Sequence, residues 1–286
     1  MNNTGTNEPK KSTKMFVNGV LILTISNILV KTIGLLFKIP LHDYLGDEGM
    51  GYFNAAYTIY TWFYMISTAG LPIAMSVLVS KSRAKGNFNQ VKKILRLSLW
   101  LFFIVGSVGM LILALGSGMF AALINLCILA IAPTLFFVCL TSAYRGYFQG
   151  HQIMWPTAVS QLLESVGKLV LGILFASWSI SRGDPLYVTA AYTILGITIG
   201  VFCGMVFIWI TKLLYNTDAV NAEYALPDSY TMPTERTKTL LKELVVIAIP
   251  VTLSSSVMSL ANLVDLMVVS RRLQASGLSE KAAAAL

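Results

Sequence analysis

FVNGVLILTISNILVKTIGLLFKIPL, Phe16 to Leu41, is the stretch whose reading decides the fold. A helical bilayer crossing takes about 20 consecutive, mostly apolar residues. This segment supplies them, with Lys31 set inside it and Lys38 near its end. A lysine at membrane depth costs roughly 3 kcal/mol or more unless it faces protein, water or a counter-charge. The helix is therefore expected to pack in a bundle with Lys31 turned toward an interior or a cavity, while Lys38 can snorkel to the interface. The polar amino end, 1–15, reads as a disordered cytoplasmic tail. The apolar run behind it is too long and too uninterrupted for a signal peptide, so it reads as a retained anchor.

Composition points the same way. The chain has 286 residues, 56% hydrophobic and 12% charged, with a mean hydropathy of +0.70. Soluble domains carry about 25% charged residues, so too few polar side chains are present to wrap a buried soluble core. The net charge of +8 gathers in particular loops, which marks membrane orientation rather than nucleic-acid binding. Cys127, Cys139 and Cys203 all lie in apolar blocks without a CxxC or a metal-ligand pattern. They read as packing residues.

Seven spans are expected, at about 16–38, 54–80, 94–115, 119–143, 156–178, 187–211 and 243–269. The fold class is thus an all-α integral membrane bundle. With the amino end inside, fourteen Lys and Arg fall on the cytoplasmic side and five outside, which favours that orientation. The domain reading is a tail at 1–15, a six-helix bundle at 16–212, a cytoplasmic linker at 213–242, and at 243–286 the first helix of a second unit. A single span after a long linker makes the chain look truncated. Gly70-Leu71-Pro72 in the second span invites a kink and reads as a hinge.

Four ionisable residues lie inside apolar blocks: Lys31, Glu164, Lys168 and Asp265. Glu164 and Lys168 are four apart with the acid first, the order that favours an ion pair on one helix. That pair is either structural or part of ion or proton coupling. Lys31 has Asn27 and Leu35 four residues away and so no partner on its own helix. An unpaired cation in a bundle offers a charge-assisted contact to an anionic group such as a phosphate. Asp265, near the end of the last span, can pair with Arg271 or Arg272 or line a cavity or gate. SAYRGYFQG, Ser142–Gly150, reads as an interfacial stretch on the cytoplasmic side, where Arg145 can meet a phosphate or a lipid head group. Enzymatic chemistry has no seat. The two histidines, His42 and His151, fall on opposite sides of the membrane, and no P-loop, HExxH or GxSxG pattern occurs. Neither a catalytic residue nor a cofactor nor a metal site is expected.

A family likeness rests on KTIGLLFKIPL (Lys31–Leu41), LGDEGMG (Leu45–Gly51), AYTIY (Ala56–Tyr60), ISTAGLP (Ile66–Pro72), YRGYFQG (Tyr144–Gly150), PTAVSQLLE (Pro156–Glu164) and PVTLSSSVMSLANLVD (Pro250–Asp265). Together these resemble the stage V sporulation protein B group. That group sits in the polysaccharide-exporter and lipid II flippase branch of the superfamily that also holds the multidrug and toxic compound extruders. The resemblance implies two six-helix halves that alternate between inward and outward openings and move an undecaprenyl-linked sugar across the cytoplasmic membrane. It implies lipid-linked oligosaccharide and membrane lipids as partners, and no nucleic acid. Lys31 and Lys38 match the family's basic cavity positions that face the lipid pyrophosphate, with one extra residue between them. The cavity arginine that the family carries in its second helix has no match in Ala55–Lys81. An exporter of another polysaccharide repeat unit, a drug or cation antiporter, and a non-transporting membrane protein stand as alternatives.

Overall fold

Gly46 determines how the first helix is used. Helix α1 runs Glu8–Thr68, 61 residues, with Pro40 inside it and the backbone of Gly46 outside helical geometry (φ 59°, ψ −172°). An unbroken helix of that length would reach about 90 Å, three times the roughly 30 Å hydrocarbon core. Gly46 adopts the left-handed φ that a Cβ disfavours and so divides α1 into two arms. The computed structural model describes residues 8–119, 122–215 and 226–255.

The remaining helices are α2 (Gly70–Ala84), α3 (Phe88–Gly116), α4 (Ala122–Gly150), α5 (Trp155–Ser181) and α6 (Leu186–Leu214), followed by α7 over 237–255. Glycines at positive φ, Gly86 and Gly183, sit in the α2–α3 and α5–α6 turns. The Asn87 side chain accepts the Gln90 N–H at the start of α3. The result is the expected all-α bundle.

The structure redraws several expected boundaries. The segment between the first two spans is helical rather than an open loop, and α1 begins at Glu8 inside the stretch expected to be disordered. Residues 1–7 lie outside the described residues, as do Asp265, Arg271 and Arg272. The expected second span, 54–80, is two helices, with a bend at Ala69 between α1 and α2. Pro72 therefore falls in the first turn of α2, where its missing N–H would have no intrahelical acceptor anyway. Gly70 is buried. A Cβ there would collide with the Ala248 carbonyl oxygen and the Thr252 hydroxyl of α7.

SAYRGYFQG is helical and forms the end of α4. Its glycines explain why it packs inward. A Cβ on Gly146 would stand 2.7 Å from the Pro72 carbonyl oxygen, and one on Gly150 2.6 Å from Val79 Cβ, so α4 lies against α2 with almost no gap. Helices α5 and α6 pack along much of their length. Gly196, Gly200 and Gly204 recur every four residues on α6, the small-residue spacing that lets membrane helices approach. A Cβ on Gly200 would lie 2.9 Å from the backbone of Gly167 and Lys168, and one on Gly196 2.6 Å from the backbone of Leu171 and Gly172. Thr198 of α6 also hydrogen-bonds Thr134 of α4 at 2.7 Å and donates to the Ala130 carbonyl at 2.8 Å. Two apolar cores result, one formed by α1, α4 and α6 around Phe37, Leu41 and Ile131, the other by α2, α3, α4 and α7 around Met75, Phe102 and Leu244.

The linker expected over 213–242 is shortened at both ends, by α6 reaching Leu214 and by α7 starting at 237, and part of it is docked. Residues 226–236 lie across the start of α3. The N–H groups of Phe88 and Asn89 donate to the Ser229 carbonyl at 3.0 and 3.2 Å. Asn87 Nδ2 and Asn89 Nδ2 donate to the carbonyls of Pro233 and Met232, both at 3.0 Å, and Lys93 Nζ donates to that of Glu235 at 2.6 Å. The strap thus satisfies N–H groups at a helix start that has no intrahelical acceptors for them. Beyond it, Glu243 of α7 meets Lys81 of α2 at 3.5 Å.

Candidate substrate cavity

The two arms of α1 stand side by side because Gly46 turns the chain, and α5 closes over them. Between them lies a cavity of about 310 Å³. The first arm contributes Val30 and Gly34, the second Tyr57, Tyr60, Thr61 and Tyr64, α4 Val138, α5 Glu164, Ser165 and Lys168, and α6 Ile197 and Val201. The tyrosines repeat at helical spacing and so share one face. With Phe53 they make a continuous ladder. Phe53 and Tyr57 stack at 5.6 Å, Tyr57 and Tyr60 lie 5.8 Å apart, and Tyr60 and Tyr64 5.7 Å.

The expected Glu164–Lys168 pair does not form. Both side chains line the cavity, but Glu164 Oε1 instead accepts a hydrogen bond from Arg145 Nη2 of α4 at 2.7 Å. Arg145 Nε donates to Ser160 Oγ at 3.0 Å, and Ser160 Oγ to the Thr157 carbonyl at 2.8 Å. Arg145 is buried within the bundle. The reason is geometric. The deep packing of α4 brings the guanidinium alongside α5, where a planar fork of donors matches a carboxylate better than an ammonium does. Gly204 makes room for the acid, since a Cβ there would stand 2.6 Å from Glu164 Cγ.

Lys168 turns to the aromatics. Its Nζ donates to the Tyr57 hydroxyl at 3.3 Å and sits 4.6 Å from the Tyr57 ring centre and 5.0 Å from that of Phe37. Such ring faces attract a cation. Among the described residues no carboxylate pairs with Lys168, and with Glu164 neutralised by Arg145 it is the uncompensated charge of the cavity lining.

Lys31 and Lys38 are both exposed on the first arm. They lie seven residues apart with Gly34 between them, so the three share one side of the helix. Gly34 is itself a cavity wall. The two lysines therefore flank the cavity rather than line it.

The tyrosine ladder and the Arg145–Glu164 pair are the parts that sequence reading missed. AYTIY carried the signal for the ladder in its three-residue tyrosine spacing. Arg145 carried none, because only the depth of α4 in the bundle separates a buried arginine from a loop arginine.

Arranged in this way, the helices are an all-α multi-helix membrane bundle of the type found in multidrug transporters. The inward-facing structure of a multidrug resistance MATE family transporter of the MOP superfamily superposes with a TM-score of 0.66 at 17% identity, over 93% of this chain and 59% of that one. The outward-facing structure gives 0.64 at 16% identity, over 93% and 62%. By sequence, the model of the polysaccharide biosynthesis protein family matches residues 16–283, and the chain belongs to that family. It is 30% identical over 210 residues to the lipid II flippase MurJ of Bacillus subtilis (strain 168), covering 68% of this chain and 38% of that protein. It is also 30% identical over 162 residues to the stage V sporulation protein B of the same organism, covering 54% and 31%. Against the membrane protein YabM, also from that organism, it is 26% identical over 258 residues, covering 86% and 46%. The chain thus spans less than half the length of these curated relatives. The relatives named for an activity are a flippase by sequence and, by fold alone, multidrug transporters.

Proposed function

We propose that the chain takes part in flipping an undecaprenyl-pyrophosphate-linked saccharide, a peptidoglycan precursor for cell wall or spore cortex, across the cytoplasmic membrane. The family match over residues 16–283, with its similarity to a lipid II flippase, carries this reading. The physical support lies in the charges. The Arg145 bridge cancels the Glu164 carboxylate, so the lysines at 31, 38 and 168 leave this region net positive, which attracts an anionic lipid head group and repels a cationic drug. In this reading the substrate enters from the bilayer with its pyrophosphate on Lys31 and Lys38. Alternating openings, with the bend at Ala69 to Pro72 as hinge, then carry the sugar outward. The amino end is cytoplasmic, no covalent step occurs, and no cofactor takes part.

The test is rescue of a bacterium depleted of its lipid II flippase, by the chain alone and by the chain joined to the carboxy-terminal half of the B. subtilis flippase. One of the two forms restores growth, and Lys31→Ala abolishes it at equal membrane levels. Losing a charge-assisted hydrogen bond of about 1.5–3 kcal/mol lowers pyrophosphate binding roughly 10- to 100-fold. Correct insertion of both forms with no rescue by either would overturn the reading.

A further inference from the structure

We propose that the cavity between the arms of α1 is a saccharide subsite. A pyranose ring lies on the tyrosine ladder there, and its oxygens are met by Lys168 and Glu164. The inference rests on the lipid-linked saccharide reading above and says where the sugar goes.

A pyranose has an apolar C–H face and a rim of oxygens that both donate and accept. A site that fits it offers an aromatic ring face edged by a donor and an acceptor. The cavity has each of these. The ladder supplies the ring faces, with Tyr57 and Tyr60 5.8 Å apart and tilted 48° to each other. Lys168 is the donor. An ammonium has three N–H groups; the Tyr57 hydroxyl takes one and, among the described residues, no carboxylate takes another. Glu164 is the acceptor, since Arg145 engages Oε1 and leaves Oε2 without a protein donor among the described residues. At about 310 Å³ the cavity falls at the small end of the roughly 300–1,000 Å³ typical of small-molecule sites, which suits one ring rather than a long chain.

Position adds an independent argument. Gly34 stands between Lys31 and Lys38, about 4.5 Å along the helix from the first and 6 Å from the second. It forms part of the cavity wall, and a Cβ built on it would meet nothing within 4 Å. The wall is therefore lowest where a pyrophosphate held by the two lysines would carry its sugar. A cation is disfavoured in the same place by Lys168.

Binding to the purified 286-residue chain in nanodiscs tests this, with native mass spectrometry of two probes, lipid II and undecaprenyl pyrophosphate. The wild type prefers lipid II by about tenfold, a modest free-energy difference. Tyr57→Leu and Lys168→Met each abolish that preference while undecaprenyl pyrophosphate binding persists. Tyr57→Phe, which keeps the ring, retains most of it and guards against a folding defect in the leucine variant. Equal binding of the two lipids by the wild type would overturn the saccharide subsite and leave the pyrophosphate reading standing. A preference untouched by both Tyr57→Leu and Lys168→Met would place the sugar elsewhere. Binding of neither lipid would overturn this inference and the proposed function together.

Discussion

Replacing Arg145 with methionine destabilises the bundle by about 3–5 kcal/mol, because it removes the guanidinium that pairs the partly buried Glu164 carboxylate. Arg145 Nη2 and Glu164 Oε1 are 2.7 Å apart, with side chains only 10% and 17% exposed. A partly buried carboxylate without its cation must either keep its charge in a poor solvent or take up a proton, and both lower stability. The expected thermal shift in detergent is a fall of roughly 10 °C. Adding Glu164→Leu to Arg145→Met recovers most of the loss, since an apolar pair of similar volume has no stranded charge. The double-mutant cycle then reads a coupling of about 2 kcal/mol or more. An Arg145→Met protein melting within a degree or two of the wild type would show that water, lipid or Lys168 compensates Glu164 without the guanidinium.

The second large effect is Gly200→Leu, which prevents α5 and α6 from docking. A Cβ at Gly200 would already stand 2.9 Å from the backbone of Gly167 and Lys168. Backbone cannot rotate aside as a side chain can, so the helices must separate. Overpacking of this kind costs about 1–3 kcal/mol where side chains can yield, and more where they cannot. Separation would also pull Thr198 from Thr134 and the Ala130 carbonyl. The expected outcome is loss of the monodisperse peak on size exclusion, with Gly200→Ala intermediate. Gly116→Ala serves as the control, because a Cβ there would meet nothing within 4 Å. A monodisperse Gly200→Leu protein with wild-type melting would contradict the close packing of α5 and α6.

The fold was largely legible in the sequence, because length and apolarity alone specify a membrane helix. What was hidden depended on backbone torsion and approach distance. The left-handed Gly46 turned an expected loop into a kink within α1, and nothing in LGDEGMG distinguishes that from an ordinary turn. The bend fell at Ala69 rather than at the proline, since Pro72 costs little in a first helical turn. Helical spacing correctly put Glu164 and Lys168 on one face, both on the cavity, but spacing cannot weigh an intrahelical partner against one on another helix. Arg145 came within reach only because Gly146 and Gly150 let α4 settle against α2. Lys31 was expected to face an interior; it is exposed on the side of the helix that Gly34 shares with the cavity.

Passage of a pyrophosphate-linked sugar by Lys31 is the step proposed for this bundle, alone or joined to a second half. The most direct measurement is translocation of fluorescent lipid II in liposomes holding the form that restores growth, read as the fraction protected from an external quencher over time. Protein-dependent transfer is expected, slowed about tenfold or more by Lys31→Ala, with insertion unchanged. Transfer at the same rate with and without the Lys31 charge would contradict it.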